Sequence, residues 1–113
     1  MKTIIAGSRT ITDYSIVKSI IEKSMFNITE IVSGTSYGVD KLEERYGIEH
    51  HIPIKRFPAK WNMHGKSAGY KRNVQMGKYA DGLIVIHNNS SGSIHMKNIA
   101  KKLGLKIEEY IVP

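Results

Sequence analysis

Four segments of this chain carry residue types suited to gripping an anion. Gly7-Ser8-Arg9 combines a residue without a Cβ, a hydroxyl donor and a guanidinium able to hold phosphate with two parallel hydrogen bonds. Ser33-Gly34-Thr35-Ser36-Tyr37-Gly38-Val39-Asp40 offers two glycines and three aliphatic hydroxyls, a composition that can form a backbone cradle ahead of a helix. Asn88-Asn89-Ser90-Ser91-Gly92-Ser93 again pairs glycine with hydroxyl and amide donors, although such a run also makes an ordinary polar turn. Asp40 has two readings, a contact to a ribose hydroxyl or a cap on the helix that follows.

The fourth segment, Pro58 to Asn73, is the one that fold requirements explain least. It sets the sole tryptophan, Trp61, among Lys60, Asn62, His64, Lys66, Lys71, Arg72 and Asn73. Trp61 and Tyr70 can stack on a base or pack beneath the loop, and Arg72 and Asn73 lie on a helix with one face turned to the crevice. Gly65-Lys66-Ser67 resembles the end of a P-loop, but that motif needs a glycine five positions earlier, where Lys60 stands. An ATPase of that type is excluded. His50, His51, His64, His87 and His95 have no metal-ligand spacing, so no metal is expected, and no cofactor is called for.

These loops need a frame, and the apolar pattern supplies one. Ile4-Ile5-Ala6, Ile31-Val32, Ile54 to Phe57, Leu83 to Ile86 and Ile107 to Val112 are short, rich in β-branched residues, and separated by stretches of helical period. The spacing predicts helices starting near Thr12 or Asp13 and running over Val39–Ile48, Ser67–Tyr79 and Ile94–Leu103, the last closed by Gly104. Strands alternating with helices imply right-handed crossovers. The expected fold is therefore one α/β Rossmann-like domain over residues 1–113, with about five mainly parallel strands and helices on both faces. In such sheets ligands sit outside the carboxyl ends of the strands, where the first, second and fourth loops would meet.

Composition narrows the partners. Seventeen Lys and Arg against ten Asp and Glu give a formal charge of +7, which favours nucleotides, nucleic acid or phosphates. The absence of cysteine excludes a disulfide scaffold and a thiolate nucleophile and suits a reducing cytoplasm. No apolar run approaches membrane-spanning length, and the first is too short for a signal peptide, so a cytoplasmic protein without membrane contact is expected.

Taken in order, Gly7-Ser8-Arg9, Ser33-Gly34 with Gly38-Val39-Asp40, Phe57 to Trp61, Gly65 to Tyr70, Arg72-Asn73 with Met76, and Asp81 ahead of Ser91-Gly92-Ser93 resemble the small YspA-type branch of the SLOG superfamily, across nearly the whole chain. The resemblance implies a Rossmann-like nucleotide binder, often assembled as a dimer or tetramer, related to sensors of NAD-derived signals, DNA-processing proteins and cytokinin-activating phosphoribohydrolases. The phosphoribohydrolase branch needs a glutamate where Met96 falls here, and a thioether cannot serve as acid, base or ion stabiliser. Asp40, Asp81 and His95 are the substitutes to consider.

The leading expectation is thus a sensor or sequestering protein for an ADP-ribose-like or cyclic nucleotide. Its expected ligand-binding residues are Gly7, Ser8, Arg9, Ser33, Gly34, Thr35, Gly38, Asp40, Trp61, Lys66, Arg72, Asn73, Asn88, Ser91, Gly92 and Ser93. The alternatives are a hydrolase of an N-glycosidic or phosphate bond in a nucleotide, and a single-stranded nucleic-acid binder using the Lys and Arg clustered around Trp61 and Tyr70.

Overall fold

The computed structural model describes residues 1–112. Its five strands, β1 (Lys2–Gly7), β2 (Glu30–Ser33), β3 (Ile54–Arg56), β4 (Gly82–His87) and β5 (Lys106–Ile111), form one all-parallel sheet in the order β3-β2-β1-β4-β5. Covering helices on both faces make central strands apolar throughout. Every residue of β4 is buried, whereas the edge strands β3 and β5 are mixed.

Side-chain alternation divides the core into two layers. Ile4, Ala6, Leu83 and Val85 point to one face, where they meet Met76, Ala80, Met96 and Ala100 from α4 (Ala68–Tyr79), the residue after it and α5 (Ser91–Lys102). Ile5, Ile84 and Ile86 point to the other, where they meet Val17 and Ile21 of α1 (Tyr14–Lys23) and Val39 and Tyr46 of α2 (Val39–Glu49). The chain thus winds outward from β1 over one face to β3, then crosses to β4 and β5 over the other. The direction reverses between β1 and β4, and the carboxyl ends of those two strands border the crevice.

Local chemistry sets the helix ends. Of the two candidate caps, Asp13 is the one used: its carboxylate accepts from Ser15 N–H at 2.9 Å and from the Ser15 hydroxyl at 2.6 Å. At the other end of the chain, Gly104 N–H donates to Lys101 O and Leu105 N–H to Ala100 O, the paired bonds of a Schellman motif that closes α5.

Two boundaries differ from expectation. The third helix is preceded by a single-turn α3 (Trp61–His64) and a 3-10 turn over Gly65–Ser67, with Gly65 in the left-handed region (φ 56°) separating them. Helix α5 starts at Ser91, three residues before the expected Ile94, because the poor helix formers Ser91, Gly92 and Ser93 occupy its first turn. There no intrahelical N–H bond is lost. No helix among the described residues is long and apolar enough to cross a membrane.

Candidate functional site

Close packing at the switch point brings the loops together. A Cβ on Gly7 would lie 1.9 Å from Ile86 O and 2.6 Å from Val39 Cγ2, so only glycine lets the ends of β1, β4 and α2 approach this closely. Two connected lobes open above them. The inner lobe, about 200 Å³, is lined by Ala6 and Gly7, by Arg9, Ser36, Asp40, Arg72 and Asn73, by Ser90 to Ser93, and by a floor of Met76 and Met96. The outer lobe, about 540 Å³, shares Arg9, Ser36 and Arg72 with it and adds Gly34, Thr35, Tyr37, Lys41, Pro58, Ala59 and Trp61.

Arg72 stands at the junction. Its Nη1 donates to Gly34 O and its Nε donates to Asn73 Oδ1 at 3.1 Å. The partly buried guanidinium forms no ion pair with a carboxylate among the described residues. Burial pulls its pKa below the ordinary guanidinium value, and the charge of Asp40 opposes that shift. Gly34 makes room for both groups, since a Cβ there would sit 2.7 Å from Arg72 Nη1 and 2.8 Å from Asp40 Oδ2. A cation held by neutral partners, with donors left over, is an anion site in waiting.

The first turn of α5 adds donors of a second kind. Its N-cap residue Ser90 makes no side-chain capping bond and the turn contains no acid, so the positive end of the helix faces the inner lobe without an internal counter-charge. The Ser90 hydroxyl instead lies 2.9 Å from Ser8 Oγ and 2.7 Å from Ser93 Oγ. Asn73 braces the turn from α4, donating through Nδ2 to Gly92 O at 3.4 Å and approaching His95 Nδ1 at 3.1 Å. Burial lowers the pKa of His95, which favours the neutral ring as the acceptor in that contact.

Among the described residues, Asp40 is the one acid lining either lobe. It does not cap α2, whose N-cap is Gly38; its Oδ2 accepts from Ser36 N–H at 3.1 Å and so ties down the cradle loop. The residue is 6% exposed. Burial pushes its pKa from 3.8 up to about 6, with Ser36 N–H and Arg72 pulling the other way. One turn along α2, Glu43 is fully buried, and neither carboxyl oxygen has a hydrogen-bond partner among the described residues. Burial first, and then the neighbouring Asp40, raise its pKa well above 4.5.

Of the expected site residues, Gly7, Arg9, Gly34, Thr35, Asp40, Trp61, Arg72, Asn73, Ser91, Gly92 and Ser93 line one lobe or both. Five do not. Ser8 is 1% exposed, its Oγ accepting from Asn88 N–H and bonded to Ser90, so it is an internal strut between the loops after β1 and β4. Ser33 is likewise buried, donating to Glu44 and accepting from Thr35 N–H. Gly38 packs under the loop after β1, Asn88 bonds Thr10 at the surface, and Lys66 is exposed away from both lobes. Asp81 is not a substitute acid here: it accepts from Lys2 N–H at the amino end of the sheet, opposite the crevice. His95 lines neither lobe.

Lys41 was not foreseen, nor were the roles of Ser36, Tyr37 and Ser90. Ser36, Tyr37 and Ser90 lie inside loops whose composition already pointed here. Lys41 could have been inferred only from its place in the first turn of the helix after the cradle. Comparison of the chain with family models, with curated proteins and with solved structures finds no match.

Proposed function

We propose that the protein binds a nucleotide or nucleotide-derived ligand at the carboxyl ends of β1, β2 and β4, and acts as a cytoplasmic sensor or sequestering protein for it. The observation that carries this reading is Arg72: a partly buried guanidinium without a carboxylate ion pair among the described residues, at the junction of two lobes and sharing the inner one with the uncapped start of α5. A phosphate there would receive charge-assisted hydrogen bonds from Arg72 and Arg9 and backbone N–H bonds from Ser91 to Ser93. The resemblance to the YspA-type branch of the SLOG superfamily agrees with this, and we propose membership on the same motifs.

Asp40 favours a second reading. A carboxyl held near neutrality in a cavity beside a cation is the profile of a general acid or base, and the hydrolase alternative would assign it the proton transfer that Met96 cannot perform.

One experiment separates the readings. The purified protein is screened by thermal shift against ADP-ribose, NAD, nucleoside monophosphates and cyclic dinucleotides, and each ligand is recovered for mass spectrometry. A native-state ligand raises the melting temperature. Recovery of a stabilising ligand intact, with the shift lost in Arg72→Ala, supports the binder. Recovery of it cleaved, with cleavage lost in Asp40→Asn, supports the hydrolase. No shift with any nucleotide, together with salt-dependent retention of single-stranded DNA, replaces both with nucleic-acid binding.

A further inference from the structure

The outer lobe is built differently from the inner one. Trp61 is held by the single turn of α3 and is 59% exposed, and Tyr37, on the facing loop, is 68% exposed. Neither ring belongs to the core, and both line the outer lobe. The remaining lining is basic or small: Arg9 and Lys41 supply charge, no acidic side chain contributes, and Pro58 and Ala59 form an apolar wall. The Arg9 guanidinium lies 5.6 Å from the Tyr37 ring centroid, which orients that ring beside the anion-binding group.

Gly69 marks how close the two kinds of contact lie. The point its missing side chain would occupy is 3.6 Å from Trp61 Cη2 and 3.8 Å from Arg72 Nη2, so indole edge and guanidinium flank one spot. A group bound to Arg72 therefore has the indole within the reach of a single sugar unit.

We propose that the outer lobe is a base subsite: the heteroaromatic base of the ligand stacks against Trp61 and Tyr37 while its phosphate is held by Arg72 and Arg9 at the junction. The inner lobe then takes whatever the ligand carries beyond that phosphate. This rests on the anion-binding reading of Arg72 and adds the requirement for a base. Stacking of a base on an aromatic ring is sequence-tolerant, so the subsite selects for the presence of a base more than for its identity.

Trp61 is the sole tryptophan, which makes the test direct. Emission and affinity are followed with two sets of probes, AMP, ADP, GDP and UDP bearing a base, and ribose 5-phosphate and pyrophosphate lacking one. Base-bearing probes are expected to quench Trp61 and bind about tenfold or more tighter than the matched base-free ones. Trp61→Ala, a surface change that leaves the core intact, should cut that preference sharply without altering affinity for ribose 5-phosphate, Tyr37→Ala should reduce it, and the double variant should erase it. Equal binding of both sets, or a preference undiminished in Trp61→Ala, overturns the base subsite and leaves the anion site standing. Absence of binding by every probe overturns both. A tryptophan already shielded in the free protein, with an oligomer lost in Trp61→Ala, would make the patch a contact between copies and also overturn the proposal.

Discussion

Asp40→Asn should change how stability depends on pH. In the folded protein Asp40 keeps its proton to about pH 6 because burial penalises its charge, whereas the unfolded chain releases it near the ordinary 3.8. Between those values the folded state holds the extra proton, so stability falls as pH rises through the window, at about 1.4 kcal/mol per pH unit. The span corresponds to a loss of about 3 kcal/mol, complete by pH 7. Glu43 adds a slope of the same sign that extends higher, and removing the Asp40 charge lowers its pKa as well. Glu49 and Glu109, held below 4.5 chiefly by hydrogen bonds from Tyr14 and His87, contribute the opposite slope to both proteins. Urea unfolding of wild type and Asp40→Asn from pH 4 to pH 8 cancels that shared background. The variant should gain on the wild type by about 2 kcal/mol from pH 4 to pH 7, the rest of the span lying below pH 4, and little from Asp40 itself above pH 7. Any constant offset reports the change in the bond to Ser36. A difference that stays flat across the window refutes the picture of a buried, proton-holding Asp40.

Arg9→Ala should weaken nucleotide binding about tenfold or more by calorimetry with an unchanged melting temperature, because the side chain is exposed and makes no ion pair among the described residues. Gly38→Ala should destabilise by about 2 kcal/mol or more in chemical denaturation, since the position has φ 73° and its Cβ would lie 2.4 Å from Ser8 O. Glu43→Met should raise the melting temperature at pH 8, where the wild type must either ionise a carboxyl without partners or hold its proton against the solvent.

Much of the frame was legible because burial on both faces writes itself into the chain as β-branched runs, and all five expected strands form. Boundaries were harder. Ser91-Gly92-Ser93 reads as a loop by propensity, and only the helix that follows converts it into a first turn. The crevice was legible as a set of loops, since a parallel sheet sends its strand ends to one side. What composition cannot state is which way a side chain turns. Ser33 is the instructive case: it follows Ile31 by two residues and so shares the face that α2 covers, which is why its hydroxyl goes to Glu44 and not to a ligand. The elevated pKa of Asp40 was invisible for a different reason. It comes from the packing of α2, Gly34 and Arg72 around the carboxyl, and no single segment contains all three.

Three serine hydroxyls at the switch point form one row from the end of β1 to the first turn of α5. Asn88 N–H donates to Ser8 Oγ, so the Ser8 proton is free to go to Ser90 and the Ser90 proton to Ser93. In that order the Ser8 and Ser90 protons each have an acceptor within the row, and Ser93, which lines the inner lobe, keeps its own proton to offer. Run backwards, the row would strand the Ser8 proton in a buried site. A bond from a backbone amide outside the cavity thus connects, through three hydroxyls, to the wall of the inner lobe. A residue buried beneath the cavity, Ser8, is in this way tied to the hydroxyls that line it.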